Sequence, residues 1–228
     1  MSIESVPQGN EEFREKMKAV AQQLRKPEGE FGVKVAENMN ESNKEMYDLL
    51  FQHLELKEND HVLEIGFGNG AFFEKYFQKQ SKITVYGADF SQDMCALAEQ
   101  KNAERIQNKE LFIVCNDGDT LPFASNSFDA ITTLNTIYFW KKPVEYLQEI
   151  ARVLKPEGAI YIGFRPMHVM KNYEFTQYGF SFFETQHIID LAQQAGLKYN
   201  RHFEMAYPKK NITGQQINSL DICLILNK

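Results

Sequence analysis

The run His61-Val62-Leu63-Glu64-Ile65-Gly66-Phe67-Gly68-Asn69-Gly70 decides how the whole chain is read. It opens with a short, mostly apolar stretch that ends on glycine, which reads as a buried strand. Gly66, Gly68 and Gly70 then mark a turn whose backbone can reach positive φ and approach a ligand without a Cβ atom in the way. Beyond Ala71 the spacing turns helical, so the turn feeds a helix whose first N–H groups are free to meet a negatively charged moiety.

Outward from this run, β-like and helical segments alternate. Strands are expected at His61-Ile65, Ile83-Gly87, Leu111-Cys115, Phe128-Leu134 and Ala159-Phe164. Helices are expected between them at Ala71-Gln80, Gln92-Gln107 and Val144-Leu154, the last with Pro143 in its first turn and Pro156-Glu157-Gly158 as its stop. A further helix over Glu184-Ala195 ends on Gly196. Leu197-Tyr207 and Ser219-Asn227, joined by the turn-rich Pro208-Asn218, read as an antiparallel pair. Upstream, Phe13, Met17, Val20 and Leu24 share one helix face, and Lys26 to Gly32 reads as a turn or mobile loop. Asn40 to Asn43 then offers N-caps for a second helix with Met46, Leu49, Leu50 and Leu54 inward. The expected fold class is α/β: a Rossmann-like, doubly wound, mostly parallel seven-stranded sheet with an antiparallel C-terminal hairpin and an N-terminal helical cap. Residues 1-57 would be the cap or lid and residues 58-228 the ligand-binding domain.

Composition narrows the partners. The 228 residues carry a formal net charge of −6, and 43% are hydrophobic, enough for a sizeable core. Basic runs do not exceed pairs such as Lys141-Lys142, which argues against binding driven by phosphate neutralisation and so against a nucleic-acid partner. No stretch is long and apolar enough to span a membrane, and Met1 to Asn10 lacks a secretory pattern, so the expected location is cytoplasmic. Cys95, Cys115 and Cys223 lie far apart without Cys-x-x-Cys spacing, so they are read as buried free thiols and no metal is expected. Asn211-Ile212-Thr213 matches a glycosylation acceptor, which without a secretory signal reads as chance.

Acidic residues at successive strand ends add chemistry to the glycine turn. Asp89 follows the second strand, where a carboxylate can accept two hydrogen bonds from a ribose diol. Asp117-Gly118 follows the third, where the carboxylate can accept from an exocyclic adenine amine and the Gly118 N–H can donate to a ring nitrogen. Glu64 would stand near the ligand's other end, where it could help hold an ammonium group. Gly66-x-Gly68-x-x-Ala71 also fits a dinucleotide-binding turn, so a nicotinamide-dependent oxidoreductase stays open, as does a tight turn with no ligand.

Several motifs occur together in one order: Val62-Leu63-Glu64-Ile65-Gly66-x-Gly68-x-Gly70, Gly87-Ala88-Asp89-Phe90-Ser91-x-x-Met94, Asp117-Gly118-Asp119-Thr120-Leu121-Pro122-Phe123, Asn126-Ser127-Phe128-Asp129 and Leu154-Lys155-Pro156-x-Gly158. The set resembles the class I S-adenosylmethionine-dependent methyltransferases, and most the small-molecule branch that includes ubiquinone and menaquinone C-methyltransferases. The resemblance implies S-adenosyl-L-methionine as cofactor and S-adenosyl-L-homocysteine as product. It implies that Gly66, Gly68 and Gly70 shape the loop beneath the methionine moiety, with Glu64 supporting it, and that Asp89 binds the ribose. It further implies that Phe90 and Met94 line the adenine pocket, with Asp117 and Gly118 at the adenine edge. Asn135 would offer its backbone carbonyl to the methionyl ammonium, and Thr136 to Tyr138 would border the methyl group. A non-catalytic adenosyl-binding module of the same fold remains the other alternative.

The acceptor is read more coarsely. Asn135-Thr136-Ile137-Tyr138 lacks the paired prolines used on planar amide or adenine nitrogens, and no acid cluster resembles the magnesium site of catechol enzymes. A small-molecule acceptor is expected, held under the N-terminal helices and the Pro166 to Phe183 insertion, whose aromatics suit an apolar compound. Tyr47, Tyr138 and His168 lie in segments that could face it, but no catalytic base is assigned.

Overall fold

In the computed structural model, which describes residues 9–210, 214 and 216–228, the short apolar runs pair edge to edge and the amphipathic segments cover both faces. Two helices come first, α1 (Gly9–Arg25) and α2 (Gly29–His53). The alternating part follows as β1 (His61–Ile65), α3 (Phe73–Lys79), β2 (Thr84–Asp89), α4 (Gln92–Lys101), α5 (Ala103–Gln107), β3 (Leu111–Cys115), β4 (Phe128–Leu134), α6 (Pro143–Val153) and β5 (Leu154–Phe164). The chain ends with α7 (Met167–Met170), α8 (Thr185–Gln194), β6 (Lys198–Lys210) and β7 (Gln216–Asn227).

The sheet has seven strands in the order β3-β2-β1-β4-β5-β7-β6. Strands β1 to β5 are parallel, and β7 runs antiparallel between β5 and β6. This is the Rossmann-like, doubly wound sheet with a C-terminal hairpin that the sequence leads one to expect. Order reverses between β1 and β4, so the connections leaving their carboxyl ends diverge and open a crevice there. The two-residue alternation of β1 serves both faces: Val62 packs into a core with Tyr76 and Phe77 of α3, while Leu63 and Ile65 pack into another with Leu147 and Ile150 of α6.

Where element bounds differ from the sequence reading, tertiary contacts are the cause. The segment Lys26 to Gly32 is not a loop throughout, because α2 begins at Gly29, well before Asn40 to Asn43. Gly29 N donates to Asp93 Oδ2 at 2.7 Å, and a Cβ on Gly32 would lie 2.7 Å from the Pro27 carbonyl carbon. Gly32 lets α2 pack closely against its entry turn, and Gly29 supplies that turn with a φ of +64. The helix expected over Gln92-Gln107 divides at Asn102, whose Nδ2 donates to Gly70 O at 3.1 Å and Ala98 O at 2.9 Å. Leu154 belongs to β5 instead of α6, since it pairs with Phe128 across an irregular register, and Pro156-Glu157-Gly158 lie inside that strand. Pro143 does open α6. Glu184 caps α8 in a reciprocal box with His187, and Gly196 follows at φ +82. The Asn211-Ile212-Thr213 match lies outside the described residues.

Candidate active site

The turn after β1 is shaped by its neighbours as much as by its own glycines. Gly66, Gly68 and Gly70 have φ of +75, +59 and +67. A Cβ at Gly66 would fall 2.4 Å from Thr136 Cγ2, and one at Gly70 would fall 2.7 Å from Ala98 Cβ, so at both positions packing as well as φ demands glycine. At Gly68 a Cβ would meet nothing within 4 Å, because this residue borders open space. Gly68 N donates to Asp89 Oδ2 at 3.0 Å, and Ser91 N donates to Asp89 Oδ1 at 2.9 Å. The carboxylate at the tip of β2 therefore holds the turn after β1 in place. Burial pushes the Asp89 pKa up to about 6, against the pull of those amide hydrogen bonds.

Above these tips lies a cleft of about 580 Å³, a size ordinary for small-molecule sites. Gly66, Gly68, Asp89, Phe90, Asp117, Gly118 and Asn135 all line it. Asp117 Oδ1 accepts from Asp119 N at 2.9 Å and Thr120 N at 2.8 Å, and these bonds hold its carboxyl below the usual carboxylate range. Gly118 has φ +80 and lies under Phe90, where an added Cβ would come within 3.3 Å of the Phe90 Cβ. Asn135, at φ +56, donates from its backbone N to Gly163 O at 2.8 Å. Its side chain donates to Asn43 Oδ1 at 3.0 Å and accepts from the Tyr138 hydroxyl at 3.1 Å. With both side-chain ends engaged, Asn135 is fixed between α2 and the segment after β4.

Glu64, Gly70 and Met94 are not on the cleft wall. Strand alternation turns Glu64 to the face opposite Ile65, where it is 1% exposed and accepts from the Tyr47 hydroxyl at 2.5 Å. The Tyr47 ring stacks on Phe72, with centroids 3.7 Å apart. Burial raises the Glu64 pKa from 4.5 to about 7. Met94 is wholly buried in α4, and its backbone N donates to the Ser91 side chain. Gly70 serves the close approach of α4 described above.

None of the side chains considered for proton transfer reaches the cleft. Burial drives the Tyr47 and Tyr138 phenols above their ordinary pKa, and Tyr138 Oη accepts from Arg165 N at 2.6 Å. His168 is exposed and pairs with Glu184 at 3.3 Å. Of the insertion aromatics, Tyr173 and Phe183 lie in the core and Phe175, Phe180 and Phe182 pack against it, so they support the cleft only indirectly: Phe180 stacks edge-on against Phe139, centroids 4.6 Å apart, and Phe139 is a wall residue. Among the described residues no group of three or more His, Cys, Asp or Glu side chains could hold a metal.

Sequence reasoning set the N-terminal helices over the cleft but named none of the residues by which they line it. Leu24, Arg25, Pro27 and Met39 from α1, α2 and their connection line the cleft, as do Trp140 and Tyr146. Pro27 O accepts from Ser91 Oγ at 2.5 Å, which fastens the α1–α2 connection to the start of α4. The only local signal was that Leu24 ends an apolar helix stripe directly before Lys26-Pro27, with nothing to say what the stripe's end would meet. The site fits an adenosyl ligand on its own terms. A turn with open space at Gly68, a buried carboxylate with unused lone pairs at Asp89 and an apolar ring at Phe90 border one cavity.

Comparison with known proteins bears on this fit. A family model described as a methyltransferase domain matches residues 63–162. The uncharacterized methyltransferase YdaC of Bacillus subtilis (strain 168) is 25% identical over 128 residues, covering 56% of this chain and 68% of that protein. A demethylmenaquinone methyltransferase of Corynebacterium efficiens is 33% identical over 114 residues, covering 49% of this chain and 44% of that protein. The match therefore spans less than half of the latter relative. The crystal structure of a SAM-dependent methyltransferase from Aquifex aeolicus superposes with a TM-score of 0.60 at 20% identity, covering 94% of this chain and 98% of that one, which speaks to the fold.

Proposed function

We propose that this chain, which carries a class I S-adenosylmethionine-dependent methyltransferase domain, transfers a methyl group to a small-molecule acceptor by in-line displacement. The observation that carries the proposal is the placement of Asp89 and Asp117, from the ends of β2 and β3, on the one cavity that Gly66 and Gly68 border. When bound, S-adenosylmethionine supplies a methyl group already activated on a sulfonium and leaves as S-adenosylhomocysteine.

The chain's own residues then have binding and positioning work. In this reading Asp89 accepts from the ribose hydroxyls with the lone pairs its two amide donors leave free. Phe90 covers the adenine, with Met94 behind it, and Asp117 with Gly118 meets the adenine edge. Gly66, Gly68 and Gly70 keep the turn open under the methionine moiety, Glu64 braces that turn from below, and the Asn135 carbonyl receives the ammonium. The acceptor's nucleophilic atom must be held about 3 Å from the methyl and in line with the breaking bond, and such positioning can supply much of the rate. The helices of residues 1-57 act as the cap, supported by Leu24, Arg25, Pro27 and Met39 on the cavity wall. Leu24, Met39, Phe139 and Trp140 offer a largely apolar surface, which favours an apolar small molecule over a nucleic acid. A cytoplasmic setting belongs to the same proposal, supported by the absence of any helix among the described residues long and apolar enough to cross a membrane.

Thermal unfolding with ligand tests the reading. S-adenosylhomocysteine at about 100 times its Kd should stabilise the protein by ~2.7 kcal/mol, a shift of several degrees. A comparable shift with NAD and none with S-adenosylhomocysteine would overturn the assignment. Transfer of labelled methyl groups into a metabolite extract then identifies the acceptor.

A further inference from the structure

Cys95 and Cys115 are distant in sequence and meet around Asp89. Cys115 is the last residue of β3 and stands opposite Asp89 in the parallel ladder. Cys95, early in α4, donates its thiol hydrogen to the Asp89 carbonyl at 3.7 Å. Neighbouring strands lie about 4.8 Å apart, so one cysteine sits beside the Asp89 peptide and the sulfur of the other rests on it. Their surroundings differ. Cys95 is buried and Cys115 exposed. Burial first, and the adjacent Cys115 thiol second, push the Cys95 thiol up. Cys223 is buried in β7, among the hairpin strands at the other end of the sheet. Directly after Cys115 come Asn116, Asp117 and Gly118, all on the cleft wall.

We propose that Cys95 and Cys115 form a thiol–disulfide pair that reacts with low-molecular-weight disulfides and, once oxidised, ties α4 to the tip of β3 beside the cleft. The exposed Cys115 thiolate attacks one sulfur of the small disulfide, forming a mixed disulfide and expelling a thiolate. Cys95 Sγ then loses its proton and attacks Cys115 Sγ, which closes the protein disulfide and expels the second thiolate. The two protons shed by the cysteines go to the two expelled thiolates. The protein dithiol is thus oxidised by two electrons, and the small disulfide is reduced to two thiols. Burial assigns the order: Cys115 is the attacking thiol because it is reachable, and Cys95 the resolving one. Once closed, the bond fixes the start of α4 to the strand end that leads directly into the Asn116 to Gly118 turn. The consequence for the cleft rests on the donor-site reading above, whereas the bond itself does not.

Oxidised glutathione is the probe, with intact-protein and peptide mass spectrometry as the readout. The expected product is the chain lighter by two hydrogen atoms, its Cys95 and Cys115 peptides linked, and restored by a reducing agent. Cys115→Ser, at an exposed position, should abolish the reaction, Cys95→Ala should stop it at one glutathionyl group on Cys115, and Cys223→Ser should change nothing. A chain that keeps all its thiols, that stays glutathionylated at Cys115 with Cys95 present, or that links through Cys223 overturns the proposal. Titration with S-adenosylhomocysteine then compares the two forms, and the cross-linked one should bind roughly tenfold more weakly, inside the usual range of coupling between sites. Equal affinity overturns the tie to the cleft. No binding by the reduced form overturns the donor reading instead, and leaves the linked peptides to decide the disulfide.

Discussion

At the tips of β2 and β3 the polar side chains border a cleft, whereas at the tips of β5 to β7 they are spent on one another. Asp89 and Asp117 are held by backbone amides and still face the cleft. Across the sheet, Arg165 follows β5 and its Nε lies 2.8 Å from Asp221 Oδ1 of β7, both side chains buried. Arg165 also donates to Ser42 O at 2.7 Å, Tyr207 donates to Asp221 Oδ2 at 2.9 Å, and Lys209 donates to Ser42 O at 2.8 Å. Burial, then the Arg165 charge, lowers the Lys209 pKa to about 8. Charged groups at equivalent heights on one sheet therefore serve two ends. Amide donors leave a carboxylate spare lone pairs for a ligand, while a buried guanidinium and carboxylate use up each other's capacity and fasten the hairpin to α2.

The largest effect should come from breaking the buried pair. Asp221→Ala or Arg165→Met alone should cost about 3–5 kcal/mol by chemical denaturation, because each leaves an uncompensated buried charge. Replacing both by apolar residues should recover most of the loss. A single variant as stable as the parent chain would erase the contrast between the two halves.

The next effect is a pH dependence from the first half. Glu64 and Asp89 have folded-state pKa values raised to about 7 and about 6. Folding therefore takes up protons, and the stability these groups contribute is complete below about pH 4 and lost as pH rises through 6 to 7. For Glu64 the shift from 4.5 to about 7 amounts to ~3 kcal/mol. Stability of the ligand-free protein should thus fall between about pH 4 and pH 7, and Glu64→Gln should flatten most of that fall. A steeper profile in the variant would contradict burial as the cause.

Smaller effects should appear in ligand affinity. Asp89→Ala should weaken S-adenosylhomocysteine binding by about 1.5–3 kcal/mol while leaving the chain folded. Unchanged affinity in a titration would remove Asp89 from the donor site. Asp117→Ala should cost less than Asp89→Ala, since its exposed carboxylate competes with water, and a larger loss than at Asp89 would reverse the ranking of the two strand ends.

Legibility in the sequence followed the range of the forces. The β1 strand and its glycine turn were plain because apolar runs and positive φ are local demands, and Pro143 and Gly196 marked helix ends for the same reason. The start of α2 was misread because Gly29 and Gly32 usually break helices, and here they answer to Pro27 and Asp93. Asn102 gave no sign of dividing a helix, since its partner is Gly70 O. Glu64 stands where the strand pattern put it, but its partner, the Tyr47 hydroxyl of α2, comes from 17 residues away and left no local sign.

By itself the sequence determined the alternation of strands and helices, the glycine turn after β1 and the acidic residues at the ends of β2 and β3. Each of these is set by neighbours a few positions away, through periodicity, backbone conformation and capping. Only the tertiary structure decided which residues of α1 and α2 would line the cleft, that Arg165 and Asp221 would bury each other, and that Cys95 and Cys115 would meet. Those pairings join residues far apart along the chain, and no local rule expresses them because they exist only once the sheet has brought its strands into register.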